Sequence, residues 1–372
     1  MIRLEHVSKA YEGGVNAVND VSFEVPRGEI AILVGPSGCG KTTTLKMINR
    51  LHEPASGKIF VDDVDTSTVD PIELRRNIGY VIQDVGLFPH MTIAENIAVV
   101  PHLKKWDRKR IAERVDELLT MMGMPPAEYR NRYPRELSGG QRQRIGVARA
   151  MASDPPILLM DEPFGALDPI TRERLQNEFL KIQEKLKKTI VFVTHDIDEA
   201  IKLGDKVAIM RKGRLIQYDA PSAVLNEPAD EFVADFVGQD RTLKSLRLIR
   251  TYEVMDADPP ALHIQASAAE ALSLLSSSSG QKYAWVVGDA RELKGLIARK
   301  DVLEADASGD AKIADIVNTN VVSVERDTTV KDALSEMLSY GLARVPVVGP
   351  EGRLEGVLTF DSIRKVLARI DS

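Results

Sequence analysis

The chain has 372 residues, of which 44% are hydrophobic and 28% charged, a composition typical of folded protein with room for two or three domains. The formal net charge of -6 argues against a nucleic-acid partner, because phosphate backbones require a basic surface. No run approaches the roughly 20 apolar residues of a membrane-spanning helix, and Met1–Ala10 lacks a signal-peptide pattern, so we expect the protein to remain in the cytosol. The single cysteine, Cys39, excludes an internal disulfide.

The first sixty residues combine short alternating segments with one continuous apolar run. Alternation of apolar and polar residues predicts half-exposed antiparallel strands at 2–7, 18–25 and 58–62. The run Glu29–Gly35 predicts a buried parallel strand that ends in a glycine-rich loop.

Downstream, the apolar period becomes helical over 91–151, which predicts a helical insertion. The continuous apolar runs 157–160 and 190–194 then predict strands buried on both faces of a helix-flanked sheet. Lys212-Gly213 predicts the turn of a final hairpin.

The α/β pattern stops near Gly238, and the polar, basic stretch that follows predicts a linker at 239–252. Beyond it lies an internal repeat with a period of about 61 residues, in which Val286-Val-Gly matches Val347-Val-Gly. We therefore expect a first domain at 1–238 and a tail at 253–372. Its two copies of one α/β unit would span about 253–309 and 310–372.

A phosphate-loop pattern lies between a predicted strand and a predicted helix, at Gly35-Pro36-Ser37-Gly38-Cys39-Gly40-Lys41-Thr42, followed by Thr43. The glycines let backbone N–H groups surround phosphates, Lys41 neutralises β/γ oxygens and Thr42 offers its hydroxyl to Mg²⁺. The alternative, a glycine turn without a ligand, is disfavoured by the strand and helix context. Cys39 occupies a variable position, and we expect no chemical role for its side chain.

Two acids, Asp161 and Glu162, follow the run Ile157–Met160 at the end of a parallel strand, where ligands collect. We expect Asp161 to hold Mg²⁺ and Glu162 to act as the base that orients and polarises the attacking water. A surface acid pair that caps the next element is the alternative, and Pro163 and the phosphate loop argue against it. His195 ends the next apolar run and could reach the γ-phosphate, although a lone histidine there is more often structural.

A third motif, Leu137-Ser138-Gly139-Gly140-Gln141, precedes a predicted helix, so Ser138 and free N-terminal amides could hold an anion. Several motifs occur together in an order and spacing that resemble the ABC ATPase family over Met1 to about Gly238. They are the phosphate loop, Gln83, Ser138-Gly139-Gly140, Asp161-Glu162, Ala166-Leu167-Asp168 and His195.

This resemblance implies an α/β fold: a P-loop ABC ATPase domain with a mixed sheet and antiparallel-β and helical subdomains. It also implies a head-to-tail homodimer, with ATP and Mg²⁺ held between one subunit's phosphate loop and the other's Ser138-Gly139-Gly140. Tyr11 matches the aromatic residue that stacks on adenine, with packing on the small sheet as an alternative. Gln83 matches the glutamine that senses Mg²⁺ and the permease. Gln141 and Asp168 join the implied nucleotide-binding residues, and Gln83 and His195 join Glu162 as catalytic residues.

Finer features resemble the ATPases of importers for quaternary amines such as glycine betaine, carnitine and choline. They include the runs 46–51, 78–83, 86–92 and 198–202, together with tail repeats that resemble a tandem of CBS domains. The resemblance implies two transmembrane permease subunits, an extracytoplasmic substrate-binding protein and a peripheral position on the cytoplasmic face of the inner membrane. The alternatives are an importer of another solute and a soluble ABC ATPase without transport. The single ATPase unit and Phe88-Pro89-His90 disfavour the second.

The tail departs from the adenosine-binding CBS pattern, in which a Thr or Ser precedes an Asp by three positions. The first copy has Ala298 with Asp301, and the second has Thr359 with Ser362. Asp361 would substitute only if its strand ended one residue earlier. Two interpretations stay open: a tail that senses a nucleotide, with a cyclic dinucleotide as one candidate, and a tail that acts mainly as a dimer clamp.

Overall fold

The computed structural model describes residues 1–11, 16–83, 86–165, 167–277, 282–307 and 312–370. The chain divides into two compact units, Met1–Gln239 and Asp240–Ser372. None of the helices within the described ranges is long and apolar enough to cross a membrane.

The first unit alternates strands and helices after an all-β start. Its strands are β1 (Ile2–Ala10), β2 (Asn16–Val25), β3 (Ile30–Val34), β4 (Ser56–Val61), β5 (Val64–Asp65), β6 (Ile78–Val81), β7 (Ile157–Asp161), β8 (Thr189–Thr194), β9 (Lys206–Arg211) and β10 (Arg214–Asp219). Its helices are α1 (Lys41–Ile48), α2 (Pro71–Arg76), α3 (Ile93–Leu103), α4 (Arg108–Met121), α5 (Pro126–Tyr129), α6 (Gly139–Met151), α7 (Pro169–Leu186), α8 (Ile197–Leu203), α9 (Pro221–Asn226) and α10 (Glu231–Val237).

Two sheets form the frame of this unit. The smaller sheet is antiparallel, in the order β2-β1-β4-β5. Its apolar face packs with α1 and the central sheet in a single hydrophobic core. The central sheet has the order β10-β9-β3-β8-β7-β6 and is parallel except for the β9–β10 hairpin. Strands β3, β7 and β8 are buried along their whole length, as their continuous apolar runs predict.

The helical insertion consists of α3 to α6, and α6 returns the chain to the sheet. Its four helices interrupt the sheet between β6 and β7. Helix α6 packs closely on β6 at Gly79, where an added Cβ would lie 2.4 Å from the carbonyl oxygen of Ala150. This contact requires glycine because a side chain at position 79 would overlap the helix backbone.

The second unit contains two α/β repeats. Its helices are α11 (Arg241–Ser245), α12 (Thr251–Val254), α13 (Ala268–Ser277), α14 (Arg299–Ala307), α15 (Ile313–Ile316), α16 (Val330–Ser339) and α17 (Phe360–Ile370). Its strands are β11 (Asp256–Ala257), β12 (Ala261–His263), β13 (Tyr283–Val287), β14 (Leu293–Ala298), β15 (Val324–Glu325), β16 (Arg344–Val348) and β17 (Leu354–Thr359). They form the sheets β12-β13-β14 and β11-β17-β16-β15.

The two repeats exchange their leading segments. Strand β11 pairs with β17, and Leu246, fully buried, belongs to the core of the second repeat. Conversely, Ile313 of α15 is buried in the core of the first repeat. The stretch 239–252, expected to link the domains, therefore contributes helix α11 and a core residue to the second unit.

Candidate nucleotide site

The phosphate loop connects β3 to α1 at the carboxyl edge of the central sheet. Gly40 precedes the helix with a φ of 107°, and no side chain caps the first turn. An added Cβ on Gly40 would lie 2.3 Å from the carbonyl oxygen of Ala17, so glycine is required here by both conformation and space. The first N–H groups of α1 thus have no side-chain acceptor and are free to face an anion.

Lys41 and Cys39 are the buried side chains of this loop. The Lys41 ammonium donates to the carbonyl oxygens of Gly35 at 2.7 Å and Pro36 at 3.1 Å. Cys39 Sγ lies 3.8 Å from Lys41 Nζ, and burial raises the pKa of the thiol although the lysine opposes the shift. The thiol is therefore protonated near neutral pH and fills space in the loop, in keeping with the expected lack of a chemical role.

Thr42 and Asp161 join the loop to the adjacent strand end. The Thr42 hydroxyl donates to Asp161 Oδ1 at 3.0 Å. Asp161 is 5% exposed, and burial raises its pKa; Glu162 adds to the increase, while the Thr42 hydrogen bond opposes it. A bound cation beside these oxygens would favour the ionised carboxylate.

Glu162 lies at the centre of a second contact group. Its Oε2 accepts a hydrogen bond from Gln83 Nε2 at 3.4 Å and is 3.2 Å from His195 Nδ1. Its backbone N–H donates to Val193 of β8 at 3.0 Å, and its φ of 44° turns the chain sharply after β7. The structure therefore brings together Gln83, Glu162 and His195 from the ends of three adjacent strands.

Tyr11 lies outside the loop, on the small sheet. It is 40% exposed, its hydroxyl is 3.5 Å from Thr43 Oγ1, and its ring makes an edge contact with His52 at 5.7 Å between centroids. An exposed ring beside the start of α1 is compatible with stacking on a base. The adenine role of Tyr11 stays a prediction.

The Ser138 turn begins α6 with a reciprocal cap. Ser138 Oγ accepts from the Gln141 N–H at 3.2 Å, and Gln141 Oε1 accepts from the Ser138 N–H at 2.8 Å. Ser138 and Gly139 are exposed. Within the described ranges, neither makes a hydrogen bond to the phosphate loop, and the turn is open to solvent.

Asp168 caps α7 through hydrogen bonds from Thr171, which hold the pKa of its carboxyl below the ordinary value. Ala166 of the same motif lies outside the described residues. In the tail, β17 extends to Thr359, so the strand does not end one residue earlier, which was the condition for Asp361 to substitute, and Asp361 pairs with Arg364 at 3.0 Å. Thr359 and Ser362 hydrogen-bond to each other at 3.0 Å.

Sequence reasoning did not single out Tyr129, whose hydroxyl accepts from Gln141 Nε2 at 3.1 Å. No motif marks it, because its partner is set by the folding of α5 onto the start of α6. A tyrosine a dozen positions before Gln141 was the only signal available in the sequence.

The sheet edge, phosphate loop, paired acids and exposed serine turn define the class of phosphate-loop ATPases. A family model described as ABC transporter matches residues 18–165, and one described as CBS domain matches 251–308 and 313–369.

Relatives match nearly the whole chain. The choline transport ATP-binding protein OpuBA of Bacillus subtilis is 47% identical, covering 98% of this chain and 95% of the relative. The osmoprotectant import ATP-binding protein OsmV of Salmonella typhimurium is 45% identical, covering 99% and 96%. The carnitine transport ATP-binding protein OpuCA of Listeria monocytogenes is 46% identical, covering 98% and 91%.

Solved structures resemble the first unit. An ATP-binding cassette in a dimeric, post-hydrolysis state with ADP and Pi is 35% identical, with a TM-score of 0.55, covering 59% of this chain and 99% of that one. The protein cbiO1 of Clostridium perfringens, part of an ABC transporter complex, is 27% identical with a TM-score of 0.58, covering 66% and 94%.

The chain therefore belongs to the ABC transporter family, and it carries a tandem of CBS domains. The predicted fold class and family are confirmed.

Proposed function

We propose that two copies of this chain hydrolyse ATP to drive import of a quaternary-amine osmoprotectant through a partner membrane permease. The support is the match over nearly the full length to relatives described as choline, carnitine and osmoprotectant transport ATP-binding proteins. The solute class is choline, carnitine or glycine betaine, because relatives are described as transport ATP-binding proteins for these solutes and all three carry a trimethylammonium group.

The observation that carries the hydrolytic part is the contact group around Glu162. A carboxylate held between Gln83 at 3.4 Å and His195 at 3.2 Å has a fixed orientation at the sheet edge. In the proposed reaction Glu162 orients and polarises the attacking water, while His195 approaches the γ-phosphate. Lys41 and the first N–H groups of α1 bind the phosphates.

Magnesium fits the oxygen donors of this edge. Thr42 Oγ1 and Asp161 Oδ1 are 3.0 Å apart, and hydroxyl and carboxylate oxygens are the ligands that Mg²⁺ prefers. We assign Thr42, Asp161 and Gln83 to the ion, which when bound would neutralise charge on the β- and γ-phosphates. Removal of Mg²⁺ by a chelator is expected to abolish turnover.

The homodimer is part of the proposal because the Ser138 turn is exposed and, among the described residues, makes no hydrogen bond to its own phosphate loop. Its hydroxyl hydrogen and the N–H groups of Gly139 and Gly140 are suited to a phosphate brought by a second chain. A solved relative with ADP and Pi is dimeric, which supports the same arrangement here.

The remaining partners follow from the importer function. Two permease subunits would contact the exposed Phe88-Pro89-His90 segment, and an extracytoplasmic protein would deliver the solute. The chain would then work at the cytoplasmic face of the inner membrane.

The CBS tail would regulate the cycle, either by binding a nucleotide or by clamping the dimer. Isothermal titration of the full chain with cyclic dinucleotides separates these two roles.

The test is uptake by the reconstituted complex. Wild type is expected to couple ATP hydrolysis to import of radiolabelled glycine betaine, carnitine or choline. Glu162→Gln should still bind ATP but lose at least about 100-fold in turnover, because general-base contributions are of that order. Glu113→Gln, an exposed change on α4, is the matched control and should behave as wild type.

Two results would contradict the proposal. Normal hydrolysis by Glu162→Gln would remove the base assignment. Hydrolysis without uptake of any of the three solutes would remove the solute class.

A further inference from the structure

Two exposed surfaces of the helical insertion are joined by hydrogen bonds. One is the segment Phe88–Thr92, in which Phe88, Pro89 and His90 are exposed. The other is the Ser138 turn at the start of α6. They are far apart in the sequence, yet a continuous series of contacts runs from one to the other through α3 and α5.

Asn96 fixes the first surface. Its side chain is fully buried, and its amide pairs with both backbone groups of Phe88: Oδ1 accepts from the N–H at 2.8 Å and Nδ2 donates to the carbonyl oxygen at 3.1 Å. Nδ2 also lies within hydrogen-bond distance of the carbonyl oxygens of Met91 and Thr92. This buried amide therefore defines the backbone path of the whole segment, since an unpaired amide here would be costly.

The start of α3 links that segment to the turn that follows α5, before the Ser138 turn. The N–H of Ile93 donates to Arg132 O at 2.8 Å, and the N–H of Ala94 donates to Arg130 O at 2.9 Å. Because the first N–H groups of a helix have no partner within it, these two carbonyls supply acceptors that the helix lacks. The start of α3 is thus fixed to residues 130–132.

Tyr129 completes the connection to the second surface. The Arg132 guanidinium lies 4.7 Å from the centre of the Tyr129 ring and pairs with Glu128 at 2.7 Å, so the ring is held in place. The Tyr129 hydroxyl accepts from Gln141 Nε2 at 3.1 Å. Gln141 Oε1 in turn accepts from the Ser138 N–H at 2.8 Å.

We propose that Asn96 and Tyr129 are positioning residues that hold the Phe88–Thr92 segment and the Ser138 turn as one unit. Movement imposed by a permease on the first surface then reaches the turn that contacts the partner chain's ATP. This inference rests on the proposed function, because it needs a permease at Phe88 and a shared ATP at Ser138.

The experiment measures the ratio of solute-stimulated to basal ATP hydrolysis in the complex with permease and binding protein. Tyr129→Phe should lower that ratio about five-fold, the size of effect expected for one lost hydrogen bond. Asn96→Asp should lower it at least as much, because it replaces the Nδ2 donor that faces three carbonyl oxygens. The double variant should lower it no further than the more severe single change, because both interrupt the same series of contacts. Independent local effects would instead multiply.

Tyr133→Phe is the matched control. It removes a tyrosine hydroxyl from the same region, but one outside the series, and its ring contacts Arg135. Its ratio should equal that of wild type. If Asn96→Asp does not fold, as judged by thermal unfolding, Asn96→Ser replaces it in the cycle, because serine retains one donor and one acceptor.

The outcomes are distinguishable. Suppose that wild type is stimulated normally, but the single variants keep the wild-type ratio or the loss in the double variant equals the product of the two single losses. Either result would overturn this inference and leave the proposed function intact. A wild-type complex that hydrolyses ATP without stimulation by any solute would overturn the proposed function and this inference with it.

Discussion

Two helices of the ATPase unit begin in opposite ways. Helix α1 starts after Gly40, in a left-handed conformation and without a side-chain cap. Helix α6 starts at Ser138 with a complete capping box. Both helix starts are proposed to contact phosphate. The start of α1 is bare, meaning that no side chain caps its N–H groups, whereas the start of α6 is capped by Ser138 and Gln141.

The difference shows how each helix start can meet an anion. The bare start presents its N–H groups directly, and the lysine that follows adds positive charge. The capped start keeps its geometry through Ser138 and Gln141 while leaving the serine hydroxyl hydrogen free to donate. In the proposed dimer, where each site is divided between two chains, the capped turn would already hold its geometry before it contacts the nucleotide of the partner chain.

The largest expected effect comes from filling the space at Gly40. Gly40→Ala should lower the free energy of unfolding by about 2–4 kcal/mol and remove measurable ATP binding, because the new Cβ meets Ala17 O at 2.3 Å while φ is 107°. Gly38→Ala is the control: φ is 76° but no atom lies within 4 Å, so its cost should be about 1 kcal/mol. Thermal unfolding with and without ATP measures both, and equal losses would show that space at Gly40 is unimportant.

The next effect tests the capped start. Ser138→Ala should reduce dimer turnover about 10-fold to 100-fold through loss of a charge-stabilising donor. Mixing it with inactive Lys41→Ala chains should restore turnover, because the mixed dimer contains one site built from an intact loop and an intact turn. An absence of restoration, with mixed dimers demonstrated by mass spectrometry, would mean that each chain builds its own site.

A smaller effect concerns the pH dependence of stability at Asp161, which accepts a hydrogen bond from Thr42 in the first turn of α1. Burial raises the folded-state pKa of Asp161 above the ordinary value of 3.8, so the folded state holds its proton to higher pH than the unfolded state. Stability without nucleotide should therefore fall as pH rises through that interval. Asp161→Asn should lack this fall and melt about 2 °C higher at pH 7. Melting curves from pH 4 to 7 test this prediction. If the melting temperature of the variant fell more steeply with rising pH than that of wild type, the predicted direction would be wrong.

The smallest expected change is at Cys39. Cys39→Ala should keep ATP hydrolysis within about two-fold and cost about 1 kcal/mol of stability, because the buried thiol fills space beside Lys41. Hydrolysis assays and denaturant unfolding provide the measurement. A large loss of turnover with normal stability would give the thiol a chemical role.

The parts of the site that were predicted from the sequence are those with local signals. Asp161 and His195 follow continuous apolar runs of strand length, which predict buried strands, and parallel strands place their carboxyl ends at one edge. The roles of Asn96 and Tyr129 were not predictable in the same way. Their partners are backbone or side-chain groups in irregular segments, which leave no periodic pattern.

The second unit shows a similar limit. The internal repeat was visible in the sequence, but the exchange of leading segments was not. Leu246 is fully buried and Leu243 is 55% exposed, and three leucines in a short stretch rich in polar residues do not mark a helix packed on a core. The pairing of Thr359 with Ser362 likewise depends on where β17 ends.

The close approach at Gly79 has a consequence for exchanging parts between relatives. Since an added Cβ there would lie 2.4 Å from Ala150 O, α6 and β6 fit each other as a matched pair. A chimera of two relatives should therefore take β6 and α6 from the same parent. Grafts with a boundary between positions 79 and 150 would otherwise combine a helix and a strand never selected together.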